Sequence, residues 1–400
     1  MKMHSSFVTL LVIVSCCALS AQTQAPGDSK PSTANVPGAE YPRVASDGRI
    51  TFQVTAPDAK SVAINPFNGN VADTGYNGLG KDPYAMTRDK DGFWTVTTPP
   101  IIPGFHYYTV LVDGASVDDP SSQTFFGAMR ELSGVEVPEP GADFYSPKEV
   151  QHGEVRIYWY SSKTTQRWER VFVYLPPGYD TNPQQHYPVL YLRHGGGEDE
   201  TGWINQGHAN FILDNLIAAG KAKPMILVMG SGYGGPRISS TNQTPAARAQ
   251  SMELAVKMAV EELIPETDAH FRTIPDRDHR AIAGLSMGAG QALAIGLANL
   301  DKYSAVAAFS RPPANNFDVK TAFNGAMADP TSLNNKLRVF WFGAGTAETG
   351  IFNSLKASRA LFDQAGIKYT YVEYPNLGHE WQIWRKQLND FAPLLFQSQP

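Results

Sequence analysis

Arg280-Ala-Ile-Ala-Gly284-Leu-Ser286-Met-Gly288-Ala-Gly-Gln-Ala-Leu-Ala-Ile295 is the stretch that decides the fold. Five residues with an apolar interior read as a buried strand, and Gly288 onward reads as a helix packed with small residues. Between them the chain reverses around one serine. Such a bend is tight, and residues two before and two after the serine must be small, as Gly284 and Gly288 are. A strand that runs through a sharp turn straight into a helix is a unit of a parallel sheet.

The flanking sequence repeats that unit. Apolar strands are expected at 189–193, 225–229, 305–309, 338–342 and 368–373. Helices are expected at 210–219, 248–271, 287–298, 353–365 and 380–396. Before them, 155–160 and 170–175 read as an antiparallel pair. Strands alternating with helices define an α/β fold, a mostly parallel sheet covered on both faces. Ligands on such sheets bind at the carboxyl ends of the strands.

The bend holds the Ser286 hydroxyl clear of the backbone, at the start of a helix whose dipole favours negative charge. Serine is a weak nucleophile without a base, and in this strand–turn–helix setting the chain order is serine, acid, histidine. His379 is the histidine that follows Ser286, in Asn376-Leu-Gly-His379-Glu-Trp381. Glu348, in the loop after the strand at 338–342, is the candidate acid; Glu373 and Asp329 are its rivals. An oxyanion would take one donor from the Met287 amide and one from the His194-Gly195-Gly196-Gly197 loop, where Gly196 is chosen. Trp203, Tyr233 and Trp381 are candidate stacking faces for a ring-bearing substrate. The loop 230–244 is a candidate lid.

Composition sets limits on function. The chain has 400 residues and a net charge of −5, which argues against nucleic acid as a partner. Apart from Cys16 and Cys17 it has no cysteine, and it contains no H-E-x-x-H, phosphate loop or dinucleotide fingerprint. No metal or cofactor is therefore expected. Lys2, the apolar run 7–18 and the small residues after it read as a signal peptide over 1–20, so the mature protein is expected to be secreted or periplasmic. Ile13-Val-Ser-Cys16 also resembles a lipobox, which would leave a lipid anchor on Cys16 and make an outer-membrane lipoprotein. No later run is long enough to cross a membrane.

Residues 21–40 read as a flexible linker, 41–138 as a small all-β sandwich, 139–152 as a second linker and 153–400 as the α/β unit. The sandwich reading rests on short alternating strands such as Ile50-Thr-Phe-Gln-Val54, separated by turn residues.

The blocks Val189-Leu-Tyr-Leu-Arg-His-Gly-Gly-Gly197, Asp214-Asn-Leu-Ile-Ala218, Lys223-Pro-Met-Ile-Leu-Val-Met229, Arg280 to Gly288 and Gly378-His-Glu-Trp-Gln-Ile-Trp384 resemble the esterase D group of carbohydrate esterase family 1. That group includes feruloyl and acetylxylan esterases. The resemblance implies an α/β-hydrolase fold, a nucleophile at Ser286 and a base at His379. The group commonly places Asp in a Gly-x-x-Asp loop where this chain has Gly345-Thr-Ala-Glu348. Residues 50–57, 92–94 and 107–120 resemble the early-set, immunoglobulin-like sandwich of carbohydrate-binding module family 48. The implied function is a secreted serine esterase for feruloyl esters on plant cell-wall arabinoxylan. Alternatives are an acetylxylan or other short-acyl esterase, an enterochelin-type siderophore esterase, and a carbohydrate-binding protein without catalysis.

Overall fold

The computed structural model describes residues 25–66, 78–235, 244–313 and 317–397. Its largest sheet has eight strands: β1 (Glu154–Ser162), β2 (Arg167–Leu175), β3 (Val189–Arg193), β4 (Ile226–Gly230), β5 (Arg280–Gly284), β6 (Ala305–Phe309), β7 (Val339–Gly345) and β8 (Thr370–Tyr374). Their spatial order is β1-β2-β4-β3-β5-β6-β7-β8. β2 alone runs against its neighbours, and from β4 to β8 every pairing is parallel. The central strands β3 to β6 are buried along their whole length, as strands covered on both faces must be.

Among the described residues, five longer helices accompany the sheet: α1 (Ala209–Ala218), α2 (Pro245–Lys257), α3 (Met287–Ala298), α4 (Thr349–Ala365) and α5 (Trp381–Phe391). The single helix expected over 248–271 is three pieces, because a π-helical turn (Met258–Leu263) separates α2 from Ile264–His270. Two apolar clusters sandwich the sheet. One holds Leu190, Leu192, Trp203, Phe309, Trp341 and Leu388, and the other holds Val189, Tyr191, Ile282, Leu293, Val306 and Phe342. Alternate residues of β3 thus enter opposite layers, as the period of two requires.

Among its described residues the N-terminal part carries strands and no helix. One five-stranded and one six-stranded antiparallel sheet enclose a third cluster that includes Ile50, Phe52, Ile64, Trp94 and Tyr108. Two expected linkers are instead packed. Lys30–Pro31 pairs with Arg43–Val44, and Ser32, Ala34 and Asn35 are buried. In the second, Tyr145 is buried and Asn215 donates to the carbonyls of Phe144 and Ser146. Pro- and Ser-rich composition marked these segments as coil; long-range contacts order them. The signal peptide, Cys16 and most of the candidate lid lie outside the described residues.

The all-β part is joined to the α/β part by buried polar contacts. Arg385 of α5 makes a bidentate ion pair with Glu136, at 2.7 and 2.9 Å. Phe105 and Phe125 enter the same apolar cluster as Trp203 and Trp381. No helix of the described residues is long and apolar enough to cross a membrane.

Candidate active site

The bend at Ser286 is enforced by close approach. A Cβ on Gly284 would lie 2.6 Å from backbone atoms of Gly288, and one on Gly288 would lie 2.4 Å from the His194 carbonyl oxygen. Only glycine fits at either place. Ser286 itself has φ 50° and ψ −113°, a conformation that costs a residue with a Cβ of the order of 1–3 kcal/mol. The neighbouring strands hold it there: the Ser286 amide donates to the Phe309 carbonyl at 3.0 Å, and the Leu285 amide to the Arg193 carbonyl at 3.2 Å.

Glu348 follows β7 and His379 follows β8, so with Ser286 after β5 all three leave the carboxyl edge of one parallel sheet. His379 Nδ1 donates to Glu348 Oε1 at 2.6 Å. The other oxygen, Oε2, accepts from the Gly345 amide at 2.7 Å, and Glu348 is fully buried. Both carboxylate oxygens are therefore satisfied without water. Its rivals are occupied elsewhere: Glu373 pairs with Arg359 at 3.5 Å, and Asp329 caps the helix Pro330–Lys336 by accepting from the Ser332 amide. The His379 loop is fastened to the Glu348 loop, since the Ala347 amide donates to the Leu377 carbonyl and the Asn376 amide to Thr346 Oγ1.

The glycine loop after β3 is braced from several sides. The Gly195 amide donates to Glu198 Oε2 at 3.0 Å, and the Gly197 amide to the Tyr233 hydroxyl at 2.7 Å. His194 donates from Nδ1 to the Gly195 carbonyl, while its Nε2 accepts from the Gly232 amide. Gln291 ties the same region together by accepting from Arg193 and donating to the Gly232 carbonyl. Between the two engaged amides, that of Gly196 has no hydrogen-bond partner among the described residues. A Cβ on Gly196 would sit 3.8 Å from Met287 Cβ, so the loop lies against the start of α3. Met287 opens that helix, where an amide has no intrahelical acceptor.

The expected stacking role of three aromatics needs correction. Trp203 and Trp381 are 1% and 2% exposed, and their rings meet edge to face at 5.4 Å. Trp381 packs on Trp384, which packs on the His379 ring at 5.0 Å; at the other end Trp203 packs on Phe309. These rings form a continuous support from the His379 loop to the strand that anchors Ser286. Tyr233 is also buried, and its hydroxyl accepts from the Gly197 amide. Aromatic content pointed to ligand stacking; the register of the loops placed these rings beneath the site.

The all-β part reaches the same place. The Met129 amide donates to the Gly197 carbonyl at 2.8 Å, and Gln206 donates to the Tyr107 hydroxyl and the Phe126 carbonyl. This contribution was not legible in local sequence, because it depends on contacts about 70 to 100 residues apart. Among the described residues no group of three or more His, Cys, Asp or Glu side chains is arranged to hold a metal.

The eight-strand order, the bend at Ser286 and the His379–Glu348 contact together define an α/β-hydrolase-type architecture. The Esterase family model matches residues 162–395, and the chain belongs to that family. An endo-1,4-beta-xylanase/feruloyl esterase of Xylanibacter ruminicola is 37% identical over 377 residues, 92% of this chain and 48% of that protein. The chain thus spans about half the length of this relative. A ferulic acid esterase structure from Anaeromyces mucronatus covers 64% of this chain and 95% of its own, with TM-score 0.55 and 23% identity. A ferric enterobactin esterase structure from Salmonella typhimurium covers 88% and 95%, with TM-score 0.56 and 18% identity.

Proposed function

We propose that the chain is a secreted serine esterase that hydrolyses feruloyl (hydroxycinnamoyl) esters on plant cell-wall arabinoxylan. The observation that carries the substrate is the 37% identity to the xylanase/feruloyl esterase, which extends over both the all-β and the α/β parts. The family match falls on the α/β part, so the esterase half of that relative's name is the relevant one.

In this reading Ser286 Oγ attacks the ester carbonyl carbon as His379 Nε2 takes its proton. Glu348 fixes the tautomer of His379 through Nδ1 and stabilises the imidazolium that forms. The amides of Met287 and Gly196 donate to the oxyanion. Collapse of the tetrahedral intermediate breaks the bond to the sugar oxygen, which leaves with the proton from His379. Water then attacks the acyl-enzyme with His379 again as base, releasing the acid and restoring Ser286. The strained bend, the buried Glu348 and the braced glycine loop all support this assignment.

A siderophore esterase is the second reading, favoured by the wider coverage of the enterobactin esterase structures. That likeness is one of fold, and the higher sequence identity lies with the feruloyl relative. A panel of methyl ferulate, acetylated xylan and enterobactin, with Ser286→Ala as control, decides between the three. The expected result is turnover of methyl ferulate and at least a thousandfold loss in kcat for the variant, by analogy with triad deletions. Turnover of enterobactin alone would favour the second reading, and turnover of acetylated xylan alone a short-acyl esterase.

A further inference from the structure

His106, on the strand Gly104–Val112 of the all-β part, faces Glu380, the residue after His379. Their side chains are 0% and 2% exposed, and His106 Nδ1 lies 3.8 Å from Glu380 Oε2. Neither atom has a hydrogen-bond partner among the described residues. Two unsatisfied polar atoms that point at each other in a dry contact are costly unless one is a donor and the other an acceptor.

The rest of the imidazole decides which is which. His106 Nε2 lies 2.8 Å from the Ile102 carbonyl oxygen, which can only accept. Nε2 therefore carries a proton, and because full burial disfavours the charged ring, Nδ1 presents a lone pair to Glu380. An ionised carboxylate would oppose it with lone pairs only. A carboxylic acid supplies the missing donor, and closing the gap by about 1 Å would complete the bond.

We propose that Glu380 works as a neutral carboxylic acid, a positioning residue that donates to His106 and keeps a second negative charge away from the Glu348–His379 pair. The charges around it agree. Glu348 faces Glu380 from the loop after β7; burial first, and then that carboxylate, push Glu380 up to about 8. On the other side, burial disfavours a charged His106 and outweighs the opposing pulls of the Ile102 carbonyl and Glu136, with the Arg385 cation adding the least, so the balance is downward. The all-β part is thereby wired to the base: His106 holds the residue next to His379, and Gln382 of the same segment packs on Gly104.

The activity arm of the test rests on the esterase reading; the spectroscopic arm does not. Glu380→Gln keeps a donor for Nδ1 and cannot ionise. It is expected to hold kcat on methyl ferulate within about threefold at neutral pH and to lose an alkaline decline near pH 8 that the wild type is expected to show. An infrared difference spectrum, wild type minus Glu380→Gln, should show the stretching band of a protonated carboxyl at neutral pH that titrates away near pH 8. His106→Phe removes the acceptor, and the same band should move to higher frequency. A wild type without that band, or a Gln variant with an unchanged alkaline decline, overturns the proposal. Absence of ester turnover with the band present would instead indict the esterase reading.

Discussion

His379 Nδ1 and Glu348 Oε1 are 2.6 Å apart, with the glutamate sealed from solvent and its second oxygen held by the Gly345 amide. The Glu348 side chain thus folds back onto its own loop. Glu348→Gln keeps the shape and removes the charge that fixes the histidine tautomer. The expected effect is a loss of two to four decades in kcat, on the order seen when a triad carboxylate is made an amide, with KM little changed. Steady-state kinetics on methyl ferulate measure it; a loss under tenfold would remove Glu348 from the mechanism.

Tyr233 accepts from the Gly197 amide in a buried place. Tyr233→Phe leaves that donor without a partner, at a cost of about 1–3 kcal/mol. The glycine loop should loosen, lowering kcat by about tenfold while KM changes less. An unaltered kcat together with an unaltered Tm would show that the loop does not depend on this bond.

The fold of the bend predicts a stability effect. Gly288→Ala would place a methyl 2.4 Å from a backbone carbonyl, which cannot yield as a side chain can. Overpacking of this kind should destabilise by about 3 kcal/mol or prevent folding. Denaturant unfolding provides the check, and a variant as stable as the wild type would mean that the bend is looser than described.

Glu198 supplies a pH test independent of turnover. Burial, its largest influence, raises its carboxyl from 4.5 to about 8, against the Gly195 amide that favours the charged form. The folded state thus holds a proton that the unfolded chain has already released. Its contribution to stability is fully present below the unfolded value of 4.5 and is lost as pH rises through about 8. Glu198→Gln, which keeps an acceptor for Gly195, should flatten the fall of Tm over that interval. An identical Tm–pH curve in both proteins would contradict the assignment.

Much of this was legible in local sequence, for identifiable reasons. β3, β5 and β6 are buried strands bounded by turn residues, and their limits match the sequence reading to the residue. Ser286 and Gly288 announce themselves because a steric rule fixes residue types at fixed offsets. What stayed hidden depends on distant partners. Glu136 and Arg385 are 249 positions apart, so no local pattern marks their ion pair. Composition labelled residues 21–40 as a tether, whereas Ser32 accepts from the Glu136 amide, 104 positions away. The π-helical turn inside the expected helix at 248–271 likewise has no periodic signature.

The central claim is that Ser286 is an activated nucleophile, and a fluorophosphonate probe tests it most directly. The wild type should take up one label, recovered by mass spectrometry on the peptide carrying Ser286, with loss of ester hydrolysis in step. His379→Ala should label at least a hundredfold more slowly. Label found on another residue, or full hydrolysis by Ser286→Ala, would contradict the account.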